Sequence, residues 1–236
     1  MLKPKDTTKF QFRNWTLRIR LPEGEGPHPL LLLLHGWTGD EDVMWIFTDR
    51  LPARYLMLAP RGIYEAQSGG FGWSPHTDNT WPTVEDFRPA VSGLVALLDD
   101  LRRSATQSVT SHEELPLNVG DAILQADFSD LNLLGFSQGA ALAYTFALLH
   151  PERVNKVAGL ASFLPKNVEQ LMANRPLVDV PVFVAHGTLD DQVPVKKARE
   201  AVEILNRLGA EVTYCEEEVG HKLSAGCFRA LDSFFT

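Results

Sequence analysis

From residue 30 onward, short apolar runs alternate with stretches whose apolar residues recur at helical spacing. Leu30 to Leu34 is unbroken aliphatic, as in a strand covered on both faces. Tyr55 to Ala59, Leu131 to Leu134, Val154 to Ser162, Val180 to Ala185 and Glu211 to Glu217 predict further strands. Helical spacing marks Thr83 to Arg103, through Val84, Phe87, Val91, Leu94, Val95 and Leu98. It also marks Gln138 to His150, Val195 to Leu208 and Leu223 to Phe235, with a further helix expected over Asp42 to Leu51. Shorter helices fit Val119 to Gln125 and Lys166 to Asn174. Pro89 is expected to kink the longest helix or delay its start. Before all of these, Phe10 to Leu21 alternates in part and predicts one or two antiparallel edge strands.

Strand–helix alternation of this kind points to an α/β fold: a mostly parallel sheet of about seven strands with helices on both faces. No repeat or interdomain linker interrupts it, so residues 1–236 read as a single domain. Two segments depart from the rhythm. Ile63 to Pro82 is irregular and rich in Gly, Ser and aromatics, and long loops in compact domains are often functional. Ser104 to Ala126 opens on a polar stretch and reads mainly as loop.

Composition narrows the function classes. The formal net charge is −8 and no Lys/Arg run occurs, which argues against a nucleic-acid surface. The longest aliphatic run, Leu30 to Leu34, cannot span a bilayer, and residues 1–6 lack the apolar core of a signal peptide. The chain is therefore expected in the cytoplasm, without a membrane span. Cys215 and Cys227 have no metal-ligand spacing and are too few for a disulfide framework, so two reduced thiols are expected. Ser68-Gly69-Gly70 lacks the Gly-Lys-Ser/Thr ending of a phosphate loop, and no metal or organic cofactor is implied.

The chemistry concentrates at Gly135-Phe136-Ser137-Gln138-Gly139, between the apolar run at Leu131 and the helix that follows. A G-x-S-x-G in that setting is a nucleophile elbow, presenting a serine hydroxyl on a sharp strand-to-helix turn. A serine needs a base, and the base needs an acid to hold its tautomer. His150 closes the elbow helix, about 20 Å from the serine at 1.5 Å per residue, and is too far away. His186 ends a strand with no suitable acid before it and is expected to shape the following turn. His221 lies in the loop after the last strand, where the base belongs. The loop after the preceding strand offers Asp190 and Asp191, with Asp190 preferred. Backbone N–H groups of Gln138 and Trp37 are the candidates for an oxyanion hole. Phe71, Trp73 and Trp81 are candidate walls of an acyl pocket. Ser137, Trp37, Asp190 and His221 all fall just after strand ends, the edge where open α/β sheets bind ligands.

Four motifs resemble the carboxylesterase/phospholipase family of α/β-hydrolases, which includes acyl-protein thioesterases and small bacterial carboxylesterases. They are Gly135-Phe136-Ser137-Gln138-Gly139, Leu34-His35-Gly36, His186-Gly187-x-x-Asp190-x-x-Val193-Pro194 and Gly220-His221. The resemblance implies an α/β-hydrolase fold, a Ser137–His221–Asp190 triad and a small-molecule ester substrate. It agrees with Asp190 over Asp191 and leaves a homodimer open. Thr38 stands where the family often has a glycine, so which early-loop N–H completes the hole stays open. Ser68 to Trp73 is similar to the family's G-G-x-x-W substrate loop. The activity implied is a serine carboxylesterase on small-to-medium acyl esters or thioesters. (Lyso)phospholipase, acyl-protein thioesterase, peptidase or transferase chemistry on the same triad, or a non-catalytic binding role, are the alternatives.

Overall fold

The structure, a computed structural model, describes residues 6–75, 81–107 and 115–236. Among these residues ten strands run in chain order: β1 (Thr8–Phe12), β2 (Trp15–Arg20), β3 (His28–Leu34), β4 (Leu56–Pro60), β5 (Tyr64–Glu65), β6 (Phe71–Gly72), β7 (Ala126–Phe136), β8 (Val154–Leu160), β9 (Pro181–Gly187) and β10 (Glu211–Glu217). Five α-helices accompany them: α1 (Val84–Gln107), α2 (Leu117–Leu124), α3 (Gln138–Leu149), α4 (Val195–Arg207) and α5 (Ala225–Phe235). Eight strands form one sheet in the order β1-β2-β4-β3-β7-β8-β9-β10, and β5 and β6 form a separate hairpin. The strand count exceeds the expected seven because both halves of Phe10 to Leu21 form strands, β1 and β2, paired antiparallel. From β3 to β10 the pairing is parallel.

The Leu30 to Leu34 run feeds both faces of the sheet, since successive side chains point to opposite sides. Leu30, Leu32 and Leu34 join a core with Phe87, Val91 and Leu94 of α1 and with the apolar side chains of α3. Leu31 and Leu33 join a second core with Met44 and Phe47 and with Leu231 and Phe235 of α5. α3 is buried from Gln138 to Leu148, as expected of a helix apolar on every side.

Register aligns the carboxyl ends of the central strands. Leu34 pairs with Gly135, Phe136 with Leu160, and Glu217 with Gly187. The segments that follow β3, β7, β9 and β10 therefore share one edge of the sheet, and every candidate catalytic residue belongs to one of them.

Several local expectations are corrected. Asp42 to Leu51 holds only a 3₁₀ turn, Met44–Phe47. Met44, Trp45 and Phe47 are buried and Ile46 is exposed, but Pro52 follows at once and disfavours helical backbone at Leu51. Pro89 neither delays nor breaks α1, which runs on from Val84. Thr83 and Asp86 cap its start reciprocally, Thr83 N donating to Asp86 Oδ2 at 2.7 Å and Asp86 N to Thr83 Oγ1 at 3.2 Å. Glu85, whose carbonyl loses its partner at Pro89, is exposed to water. The Ile63 to Pro82 stretch contains the β5–β6 hairpin. Part of it (76–80), and the polar half of Ser104 to Ala126 (108–114), lie outside the described residues.

The cysteines are not reduced: Cys215 on β10 and Cys227 on α5 form a disulfide, Cα to Cα 5.7 Å. Their distance in sequence hid a contact made by packing α5 against β10. Among the described residues, no helix is long and apolar enough to cross a membrane.

Candidate active site

Ser137 stands between β7 and α3 at φ 53°, ψ −119°. A non-glycine residue at such an angle is strained and persists only where its surroundings hold it. The holding contacts are explicit. Ser137 N donates to Leu160 O at 2.8 Å, and Ser137 O accepts from Ala140 N at 3.0 Å and from Ser162 Oγ at 2.8 Å. The flanking glycines are steric necessities. A Cβ on Gly135 would lie 2.4 Å from Gly139 O, and one on Gly139 would lie 2.1 Å from Leu34 O.

The loop after β9 carries Asp190, whose side chain is fully buried. Its Oδ1 accepts from the N–H groups of Gln192 at 2.9 Å and Val193 at 2.8 Å. Its Oδ2 lies 2.7 Å from Nδ1 of His221, in the loop after β10. Asp191 is exposed. The His221 ring packs 4.9 Å from the ring of Phe136, the residue preceding Ser137. Hence the chain brings Asp190 and His221 into direct contact, beside the elbow.

The other histidines take different places. His186 Nε2 donates to Val193 O at 2.8 Å and lies 3.4 Å from Asp190 Oδ2, bracing the turn as the sequence suggested. Burial lowers its pKa. His150 sits at the far end of α3, 3.6 Å from Glu152.

The His35-Gly36-Trp37 loop lies against the elbow, where a Cβ on Gly36 would be 3.3 Å from Ser137 Cβ. Its anchor is His35, which is wholly buried. His35 Nε2 accepts from Gly62 N at 2.8 Å, so Nδ1 carries the proton and donates to Gly36 O at 2.7 Å. Burial pushes the imidazole down to about 4, which keeps it neutral. Trp37 is half-buried, its indole pressed on the backbone of Gly72, where a Cβ would stand 2.2 Å from the ring.

Trp73 is not a pocket wall. It is fully buried and its indole N–H donates to His35 O at 2.8 Å, so it offers no surface to an acyl chain. Its backbone N–H donates to Oε1 of Gln138 at 2.8 Å, while Gln138 Nε2 donates to Ser74 Oγ at 3.0 Å. Phe71 is half-buried beneath the Arg61 guanidinium, 4.5 Å from its ring. Trp81, also half-buried, meets Phe163 edge-on at 4.5 Å.

Contacts at long range escaped sequence reading. The Gln138 side chain ties α3 to the Trp73 segment. Arg61 grips the buried Glu41 with two hydrogen bonds, 2.7 and 2.8 Å, and Lys9 pairs with the same carboxylate. Burial works against that charge, but the bonds from Arg61 and Lys9 outweigh it and hold the carboxyl at about 2. No sequence pattern pairs Glu41 with Arg61; only the adjacency of the loops after β3 and β4 reveals that contact. A cavity of about 240 Å³ between the 3₁₀ turn and α5, lined by Phe47, Leu51, Phe228 and Leu231 among others, contains none of the candidate catalytic residues. Among the described residues, one trio of potential metal ligands lies close together, Cys215, Glu217 and Cys227, and its two sulfurs are bonded to each other.

Residues 96–236 match the sequence profile of the family described as Phospholipase/Carboxylesterase. The chain belongs to this family. An Oryza sativa subsp. japonica relative, named a probable inactive carboxylesterase, is 28% identical over 146 residues, 61% of this chain and 57% of its own length. An acyl-protein thioesterase 1 from Emericella nidulans is 33% identical over 86 residues, 35% of this chain and 36% of its own length. The matched region thus spans little more than half of the first relative and about a third of the second. Among solved structures, a carboxylesterase from Mesorhizobium loti superposes at TM-score 0.74 with 20% identity, covering 98% of both chains. A Bacillus cereus carboxylesterase superposes at 0.69 with 18% identity, covering 94% of both. At these identities the likeness concerns the fold, and the α/β-hydrolase fold is shared almost end to end.

Proposed function

We propose that this family member is a serine carboxylesterase, with Ser137 as nucleophile, His221 as general base and Asp190 as the acid that orients it. One observation carries the reading: the 2.7 Å contact between His221 Nδ1 and a buried Asp190 carboxylate, beside a serine held at φ 53°. The carboxylate keeps the imidazole proton on Nδ1 and leaves Nε2 to take the serine proton. Ser137 attacks the acyl carbonyl, and the N–H groups of Gln138 and Trp37 receive the developing oxyanion, aided by the positive end of α3. His221 returns its proton to the leaving alcohol or thiol. Water, activated by the same histidine, then hydrolyses the acyl-enzyme.

The substrate is a small-to-medium acyl ester or thioester. The local likeness to an acyl-protein thioesterase puts thioesters into the first trial. Phe71 and Trp81 keep partly exposed faces for the acyl group.

The test compares hydrolysis of p-nitrophenyl acetate, butyrate and octanoate, and of matching thioesters, by the protein and its Ser137→Ala variant. Loss of at least about 10³-fold in kcat is expected in the variant. Equal activity in the two proteins would refute the assignment of Ser137. No turnover by either would favour a non-catalytic role.

A further inference from the structure

The loop that carries His221 is closed into a covalent ring. The Cys215–Cys227 bond, 12 residues apart in sequence, encloses residues 215–227, and His221 is the central one. The two sides of this ring are held differently. On the incoming side, backbone bonds join it to the Asp190 loop: Thr188 N donates to Glu217 O at 2.9 Å and Leu189 N to Val219 O at 3.0 Å. On the outgoing side, Ser224 Oγ accepts from Cys227 N at 3.0 Å, a contact within the start of α5 itself. The disulfide is the bond that ties this first turn of α5 back to β10.

Packing carries the same constraint to the imidazole by a second route. Phe228, next to Cys227, stacks on Phe47 at 5.8 Å. Phe47 stacks on Phe136 at 5.5 Å, and Phe136 touches His221 at 4.9 Å. A shift of the first turn of α5 therefore reaches the base through the loop and through these rings.

We propose that the Cys215–Cys227 disulfide is a positioning staple for His221, and that its reduction by a small-molecule thiol slackens the His221–Asp190 pair and lowers turnover. The proposal rests on the serine-esterase reading above. Cys215 is the more exposed of the two residues, Cys227 being buried. A thiolate attacks the Cys215 sulfur, the S–S bond breaks and Cys227 leaves as thiolate, which takes up a proton. A second thiol then resolves the mixed disulfide. Two thiols are oxidised to one disulfide, and the protein gains two electrons and two protons. The process reverses with a disulfide oxidant.

The experiment uses the full chain with p-nitrophenyl butyrate, before and after dithiothreitol, beside a Cys215→Ser/Cys227→Ser double variant and Ser137→Ala. Circular dichroism is followed throughout at the assay temperature. The second readout is the low-field proton resonance of the His221 Nδ1–H···Asp190 hydrogen bond. Reduction is expected to lower kcat about tenfold with KM unchanged, since small misplacements of a catalytic group are costly. The resonance should broaden or vanish, and oxidation should restore both. The double variant should sit at the reduced level whether or not dithiothreitol is present. A folded, reduced protein with unchanged kcat and an intact resonance would overturn the staple, as would a kcat that falls only in step with global unfolding. Activity surviving Ser137→Ala would refute the esterase reading instead, and the resonance would still decide the staple.

Discussion

Acid should loosen the protein at His35, and the size of the effect follows from the site. The imidazole is buried and accepts the Gly62 N–H at Nε2, so it cannot bind a second proton without losing that bond. In the unfolded chain it titrates near 6.5, whereas in the fold burial holds it down to about 4. Between those values the unfolded chain binds a proton that the native protein refuses. Stability is therefore fully present above 6.5 and drains away as the pH falls toward 4. The loss amounts to about 2 kcal/mol by about pH 5 and about 3 kcal/mol by about pH 4. Carboxylates titrate over the same range, so a reference is needed. His35→Gln supplies it, because a glutamine carbonyl can accept from Gly62 N and does not ionise. Urea unfolding, followed by tryptophan fluorescence from about pH 7.5 to about pH 5, should show the wild type's advantage shrinking by about 2 kcal/mol. Parallel stability curves for the two proteins would refute the reasoning.

Three other outcomes are expected. Among the described residues the fully buried Tyr144 hydroxyl has no hydrogen-bond partner, so Tyr144→Phe should raise stability by about 1 kcal/mol in chemical denaturation. Glu41→Gln leaves Arg61 and Lys9 without their carboxylate beside the oxyanion loop, and should cost about 2 kcal/mol at neutral pH. Because the folded carboxyl titrates at about 2 rather than 4.5, that cost should fade as the pH drops through this window. Gly139→Ala drives a Cβ onto Leu34 O and His35 O, at 2.1 and 2.4 Å, and should cost about 1–3 kcal/mol together with most of the proposed esterase activity.

How far the chain could be read in advance depended on the range of the interactions. Strand and helix periods are local, and β10 runs from Glu211 to Glu217 as its pattern predicted. The elbow is local too, since both glycines and the serine lie within five residues. Asp190 and His221 could be singled out as candidates because each follows a strand, and parallel strands deliver their ends to one edge. Trp73 misled for the opposite reason. Its neighbours in sequence are polar and glycine-rich, but its indole is claimed by His35, 38 residues away.

By itself, then, the order of residues determined the layering and the family, and named Ser137, His221 and Asp190 as candidates for acyl transfer. Periodicity and short motifs carry that information, because they record which side chains must face the core and which backbone turns are sterically open. The tertiary structure alone decided the His35 anchor, the Gln138–Trp73 tie, the Glu41–Arg61 grip and the Cys215–Cys227 bond. Each joins elements that no periodic pattern relates. Their partners become neighbours only when β3, β4, β7 and β10 take their places in the sheet and α5 packs beside β10.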